Sequence, residues 1–425
     1  MKKITPIIYL RFLIVCVLIP FTLVKLQGQS LEYSKSIINE LCSEKYAGRG
    51  YVNNGVNNAA KFLENEFSRL KLKRFGNSYL QQYSFPVNTH PSSIYCKVDK
   101  SIEKAGTNFL VDAASPSIQG RFQLRHYNTR DSLDQLLLSK KIKKGFEKND
   151  ALVLHFGNKR NSSILDSCML YRHNPSLIIY TEEKKLTHTI SQKIDDIPSL
   201  HFLDSAIKQK ETIEIDYTNN FINDFTSTNL IGYIKAKRSD SFIVFSAHYD
   251  HLGMMGKDAM FPGASDNASG TSMILYLANY YSKYKPKDNI VFILFSGEEA
   301  GLMGSSFFTS HPTFDIQKIK MLVNIDIMGN ADKGITVVNG EVYKPQFDLL
   351  TSINKKGQYL PEIKIRRKAK NSDHYYFSEK GIPAFFIYSN GGKGYYHDIY
   401  DKADQLELTN YEQVAKLLIE FASKI

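Results

Sequence analysis

Phe242-Ile243-Val244-Phe245-Ser246-Ala247 is a β-branched and aromatic run too short for a helix, and it delivers His248 and Asp250 at its carboxyl end. Asn289-Ile290-Val291-Phe292-Ile293-Leu294-Phe295 does the same for Glu298 and Glu299, and Met321 to Ile325 leads into Asp326. Apolar strands without polar alternation are buried on both faces, as in a mainly parallel sheet covered by helices. Ligands of such sheets bind beyond the carboxyl ends of the strands, so residues distant in sequence meet there.

Helices fit between these runs. Residues 271–282 carry Ile274, Leu277, Ala278 and Tyr281 at three-to-four spacing. Thr409 and Glu412 form a capping box for a last helix whose apolar face is Val414, Leu417, Leu418 and Phe421. Ala60, Leu63, Phe67 and Leu70 mark a helix near the amino end. The segments N-L-I-G-Y-I-K-A and S-F-I-V-F-S-A-H read as adjacent strands joined by the K-R-S-D turn. The expected fold class is α/β, a three-layer sandwich on a mainly parallel mixed sheet.

The chain has 425 residues, 43% of them hydrophobic, enough for a large core and more than one domain. Residues 1–28 read as a signal peptide: a basic start, an apolar stretch from Phe12 to Val24 broken by Pro20, and Gly28 at the cleavage point. Export to the periplasm or medium follows, with no membrane span in the mature chain. Losing Lys2, Lys3, Arg11 and Lys25 lowers the net charge from +11 to about +7. Lysines are spread out and no aromatic-basic recognition motif is present, so nucleic acid is not an expected partner.

Cys42, Cys96 and Cys168 remain after the leader, an odd number with no zinc-knuckle spacing. Residues 29–90 form the first part of a catalytic domain, 225–425 the rest, and 91–224 an inserted, mainly β domain of short alternating strands. The insertion holds His126, His155, His173, His188 and His201 without metal spacing, which marks them as surface or packing histidines.

The chemistry concentrates in the second half. His248, Asp266, Glu299, Asp326 and His397 are imidazoles and carboxylates of the kind zinc takes, and two ions bridged by one carboxylate need about this inventory. Asp250 is placed to hold the other nitrogen of His248, while His251 reads as a histidine hydrogen-bonded in a loop. Asp266, in G-A-S-D-N-A-S-G, is otherwise a helix N-cap. Adjacent Glu298 and Glu299 can point apart, one to metal and one to water as general base. No G-x-S-x-G, H-E-x-x-H or phosphate-binding loop competes.

Together, A-H-Y-D-H-L-G, G-A-S-D-N-A-S-G, F-S-G-E-E-A-G-L-M-G-S, N-I-D-I-M-G, S-D-H-Y-Y-F-S-E-K-G-I-P-A and Y-Y-H-D make the chain from about Asn229 onward resemble the co-catalytic dizinc exopeptidases. That family includes secreted bacterial leucine-type aminopeptidases, with glutaminyl cyclases and glutamate carboxypeptidases as relatives. The resemblance implies two zinc ions: His248 and Asp326 on one, Glu299 and His397 on the other, Asp266 bridging. It implies Glu298 as the base acting on a bridging hydroxide, Asp250 as the carboxylate orienting His248, and a protease-associated-like insertion. Some secreted members carry a tyrosine two residues before the Asp of S-D-H to stabilise the tetrahedral intermediate. Asn371 stands there in this chain, with an amide that can donate.

The implied activity is removal of amino-terminal residues from peptides. A glutaminyl cyclase-like acyltransferase is the nearest alternative, although that group places tryptophan around its pocket and this chain has none. A carboxypeptidase would draw on Arg366, Arg367, Lys368 and Lys370, which otherwise read as a solvated charge run; a non-catalytic binding ectodomain is the third alternative. Oligomeric state and side-chain preference stay open.

Overall fold

The computed structural model of the protein describes residues 31–155, 174–237 and 239–425. The leader at 1–28, Cys168 and His173 lie outside the described residues.

An eight-stranded mixed sheet runs in the order Leu80–Thr89, Asn220–Ile234, Asn289–Phe295, Phe242–His248, Ile319–Asp326, Ala384–Ser389, Ile335–Val338, Ile363–Ile365. The four strands from Asn289–Phe295 to Ala384–Ser389 are mutually parallel. The sheet is therefore α/β and covered on both sides. Ile243, Phe245 and Ala247 point into a core shared with helices Gly55–Arg69, Gly270–Lys283 and Tyr411–Lys424. Val244, Val291, Ile293 and Phe295 face the opposite way, against Phe308 and Phe377 of helices Met303–Ser310 and His374–Glu379.

Two local expectations need correction. Asn220–Ile234 and Phe242–His248 are not neighbours, because Asn289–Phe295 lies between them. Every residue of that strand is buried, and at roughly 1.5–3 kcal/mol per large apolar side chain a central position outweighs a short hairpin. The last helix begins at Tyr411 with left-handed Asn410 as its N-cap residue and no side-chain cap hydrogen bond, so Thr409 and Glu412 form no capping box.

A second eight-stranded sheet draws all its strands from residues 95–217. The chain leaves from Thr89 and returns at Asn220, which pair with each other on the edge of the first sheet. Asp150–His155, Leu177–Glu182 and Ser199–Leu203 run parallel. Asp150–His155 is buried almost throughout instead of alternating. Helix Ser132–Lys144 explains this by covering one face, with Leu138 and Ile142 packed on Leu152, Leu154 and Ile178.

The two loops that carry the candidate site are tied together by Arg49. Its fully buried guanidinium donates to the carbonyls of Tyr249 (2.8 Å), Leu41 (3.0 Å), Pro262 (2.7 Å) and Gly263 (2.7 Å). The neighbouring Gly48, at φ +64°, admits no side chain: a Cβ there would lie 2.4 Å from the carbonyl oxygens of Gly253 and Phe261. Arg49 thus fixes the backbone after His248 and just before Asp266.

Candidate metal centre

Because Phe242–His248 and Ile319–Asp326 are parallel neighbours with Ser246 opposite Asn324, His248 and Asp326 emerge side by side at the same sheet edge. His248 Nε2 lies 3.3 Å from Asp326 Oδ2 and 3.3 Å from Asp266 Oδ1. On the other side, His397 Nε2 lies 3.1 Å from Asp266 Oδ2 and 3.1 Å from Glu299 Oε2. The two oxygens of Asp266 thus face one histidine each. The structure brings His248, Asp266, Glu299, Asp326 and His397 to one place, with Glu298 beside the His248–Asp326 pair.

Asp266 does not cap the following helix. Its φ and ψ are non-helical, and its amide donates to Asp401 Oδ2 at 3.0 Å, which leaves the carboxylate turned to the two imidazoles. Each histidine has one nitrogen occupied elsewhere. His248 Nδ1 donates to the backbone carbonyl of Asp250 at 3.2 Å, and His397 Nδ1 to the carbonyl of His188 at 3.0 Å, so both Nε2 atoms are directed inward.

Asp250 differs in detail from the sequence reading. Its carboxylate lies 3.7 Å from His248 Nδ1, farther than its own carbonyl. Its oxygens accept from the backbone amides of Glu298 (3.2 Å) and Glu299 (3.3 Å) and from the Tyr51 hydroxyl (3.1 Å). It therefore shapes the Glu298–Glu299 turn as well as lying beside His248.

Three further residues were missed by sequence reasoning. His251 is fully buried and contacts Glu299 Oε1 through Nδ1 at 2.8 Å, so it is no peripheral loop histidine. Asp373, in the S-D-H stretch, is fully buried beside the centre. Tyr396 stacks on His397 with ring centroids 3.9 Å apart, and partial burial together with Asp266 and Glu299 keeps its phenol protonated. A flag for it existed in the sequence, the adjacency to His397. Asn371 itself is exposed.

The electrostatics show a surplus of negative charge. Burial opposes charge on His248, yet Asp326 and Glu298 hold its pKa well above the ordinary value. Glu299 and Asp266 raise His397 to about 11 against the same penalty. Glu299 falls to about 2 because His397 outweighs its burial. Asp266 is likewise held well below its usual range, His248 and His397 outweighing its burial, whereas three other carboxyls are driven upward, by burial first and then by neighbouring carboxylates: Asp326 to about 6, Asp373 to about 7, and Glu298 well above its usual range.

Asp326 Oδ1 is moreover buried without a hydrogen-bond partner. Nitrogen and carboxylate donors that overload a pocket with negative charge fit zinc. Metal uptake should therefore displace the protons of both histidines, releasing at least about two protons per chain near pH 7, with any protons held by the raised carboxyls adding to that number. Zinc affinity should rise with pH, since these imidazoles stay protonated through neutrality. Calorimetric titration of metal-free protein in buffers of different ionisation enthalpy measures the number; release near zero would contradict it.

Residues 229–422 match peptidase family M28. Among curated relatives, the chain is 27% identical over 206 residues to Aminopeptidase YwaD of Bacillus subtilis, covering 45% of this chain and 43% of the relative. It is 28% identical over 173 residues to a probable zinc metalloprotease of Pyrenophora tritici-repentis, covering 35% and 40%. The match thus spans about two-fifths of the length of these relatives.

Fold similarity to solved structures extends further. A zinc aminopeptidase from Bacillus subtilis superposes with a TM-score of 0.70 at 18% identity, covering 92% of this chain and 94% of that one. An aminopeptidase from Aneurinibacillus sp. strain AM-1 gives 0.64 at 20%, covering 92% of each. At these identities the likeness concerns the fold.

The other histidines of the second sheet are accounted for locally. His126 Nδ1 meets His155 Nε2 at 2.9 Å, and His155 Nδ1 meets Asp204 at 2.6 Å, while His201 Nε2 lies 2.8 Å from Asp112. None belongs to a metal-capable cluster among the described residues. Cys42 and Cys96 are free thiols. Arg366 donates to the Tyr388 hydroxyl, and Arg367 and Lys368 pair with Glu341 and Glu379. No helix among the described residues is long and apolar enough to cross a membrane.

Proposed function

We propose that this protein is an exported zinc aminopeptidase that removes amino-terminal residues from peptides at a two-zinc centre. The observation that carries the reading is Asp266, with one carboxylate oxygen on His248 and the other on His397. Asp326 and Glu299 flank it on the two sides. The relatives' descriptions as aminopeptidases and zinc metalloproteases support the same class.

His248 and Asp326 would hold one ion, His397 and Glu299 the other, and Asp266 both. When bound, the zinc ions supply a Lewis acid for the scissile carbonyl and draw the pKa of water toward 7. Glu298, bound to neither imidazole, takes the proton of the attacking water and returns it to the leaving amine. Asp250 sets its position by accepting from the Glu298 and Glu299 amides. Tyr396 presents a neutral phenol beside His397, a donor where Asn371 is turned to solvent. Residues 91–224 are proposed as a protease-associated-like insertion, and residues 1–28 as the leader that takes the chain to the periplasm or medium.

The paired Arg366, Arg367 and Lys368 weigh against a carboxylate-binding pocket for a carboxypeptidase. Aminoacyl-4-nitroanilides should be hydrolysed by the purified protein, the activity should vanish on chelation, and zinc should restore it. Absence of chelator-sensitive release would remove the peptidase reading.

A further inference from the structure

The two sides of the centre are held by different parts of the molecule. His248 ends a buried strand, and the acceptor for its Nδ1 lies two residues away. His397 follows an exposed, glycine-rich loop, and its own backbone sits at φ 55°, a left-handed conformation that costs a non-glycine residue energy unless its surroundings enforce it.

What enforces it comes from the connection between Leu177–Glu182 and Ser199–Leu203 of the second sheet. The His188 amide donates to the His397 carbonyl at 2.9 Å while the His188 carbonyl accepts from His397 Nδ1 at 3.0 Å. His188 is itself anchored, buried and stacked on Phe261 at 4.7 Å. Lys185 Nζ lies 2.8 Å from Asp398 Oδ2 and donates to the Gly394 carbonyl at 3.2 Å, gripping the loop on either side of His397. Gln192 donates to the carbonyl of Ala300, directly after Glu299, and touches Met303 Sδ at 3.4 Å.

We propose that residues 185–192 are a positioning element for His397 and Glu299, through which the second sheet sets how firmly the cation on that side of Asp266 is held. This rests on the two-zinc reading above. Lys185 and Gln192 are the positioning side chains, His188 acts through its backbone, and the His248–Asp326 side is independent of all three. Partners that orient a metal ligand typically change affinity by about 10- to 100-fold when removed.

The test is zinc release from the loaded full chain to a chromogenic chelator, followed in stopped flow. Wild type should give two phases from two ions, and the phase missing from His397→Ala identifies the ion in question. Lys185→Ala and Gln192→Ala should each accelerate that phase by about tenfold or more and leave the other unchanged. Lys185→Arg should restore it, and Lys184→Ala, at an exposed neighbouring position, should have no effect.

Thermal unfolding of the metal-free variants separates selective release from loss of fold. Should Lys185→Ala unfold, Gln192→Ala carries the same expectation. Unchanged phases, or both phases accelerated together, would overturn the proposal. A wild-type stoichiometry below two ions would instead overturn the two-zinc reading, and the proposal with it.

Discussion

Glu298→Gln is expected to lower kcat on aminoacyl-4-nitroanilides by about 10²- to 10⁴-fold, the range for loss of a general base, while the chain keeps its zinc. The two glutamates of the turn differ sharply in their surroundings. Glu299 is engaged through both oxygens, by His251 Nδ1 at 2.8 Å and His397 Nε2 at 3.1 Å. Glu298 makes no such pair, yet lies within reach of His248 and Asp326. Its carboxyl is pushed well above the usual range, first by burial and then by Glu299, Asp373 and Asp326, so it holds a proton readily. Glutamine preserves the shape and removes that capacity. Metal content by atomic emission, taken with kcat, decides the assignment: loss of zinc from the Glu298→Gln chain would place Glu298 among the ligands.

Asp266→Ala should be the most damaging single change to metal binding. A ligand belonging to one side, such as Asp326 or His397, should cost one ion when truncated. Asp266 faces both histidines, so its loss weakens both sides and leaves His248 and His397 facing one carboxylate fewer each. The fall in affinity should exceed the roughly 10- to 100-fold typical of residues that only orient a ligand, and the variant should emerge from gel filtration with close to no zinc. One retained ion would show that the carboxylate serves a single side. Asp266→Asn separates charge from shape, since it keeps one oxygen and replaces the other with a donor that no cation accepts.

The elements that deliver the site were legible because they are local. Apolar runs ending on His248, on Glu298 and Glu299 and on Asp326 are short enough to be strands, and all three lie in the central sheet. The helix stripes at Ala60, Leu63 and Phe67, at Ile274 and Leu277, and at Val414 and Leu418 are buried against that sheet. Strand order was not legible: a short turn after Ala236 suggests a hairpin, and only the competition among three strands for the most buried position moves Asn289–Phe295 between them.

Sequence by itself determined the fold class, the residue types available for chemistry and their placement at strand ends, since periodicity and composition are properties of contiguous residues. Tertiary structure alone decided that Asp266 turns from capping a helix to facing two imidazoles, and that His251 holds Glu299. It also decided that Arg49 reaches four carbonyls, and that His188, 209 residues from His397, supplies its acceptor. Such contacts depend on which surfaces meet when the two sheets pack. A hydrogen bond between residues so far apart leaves no period or spacing in the chain from which it could be read.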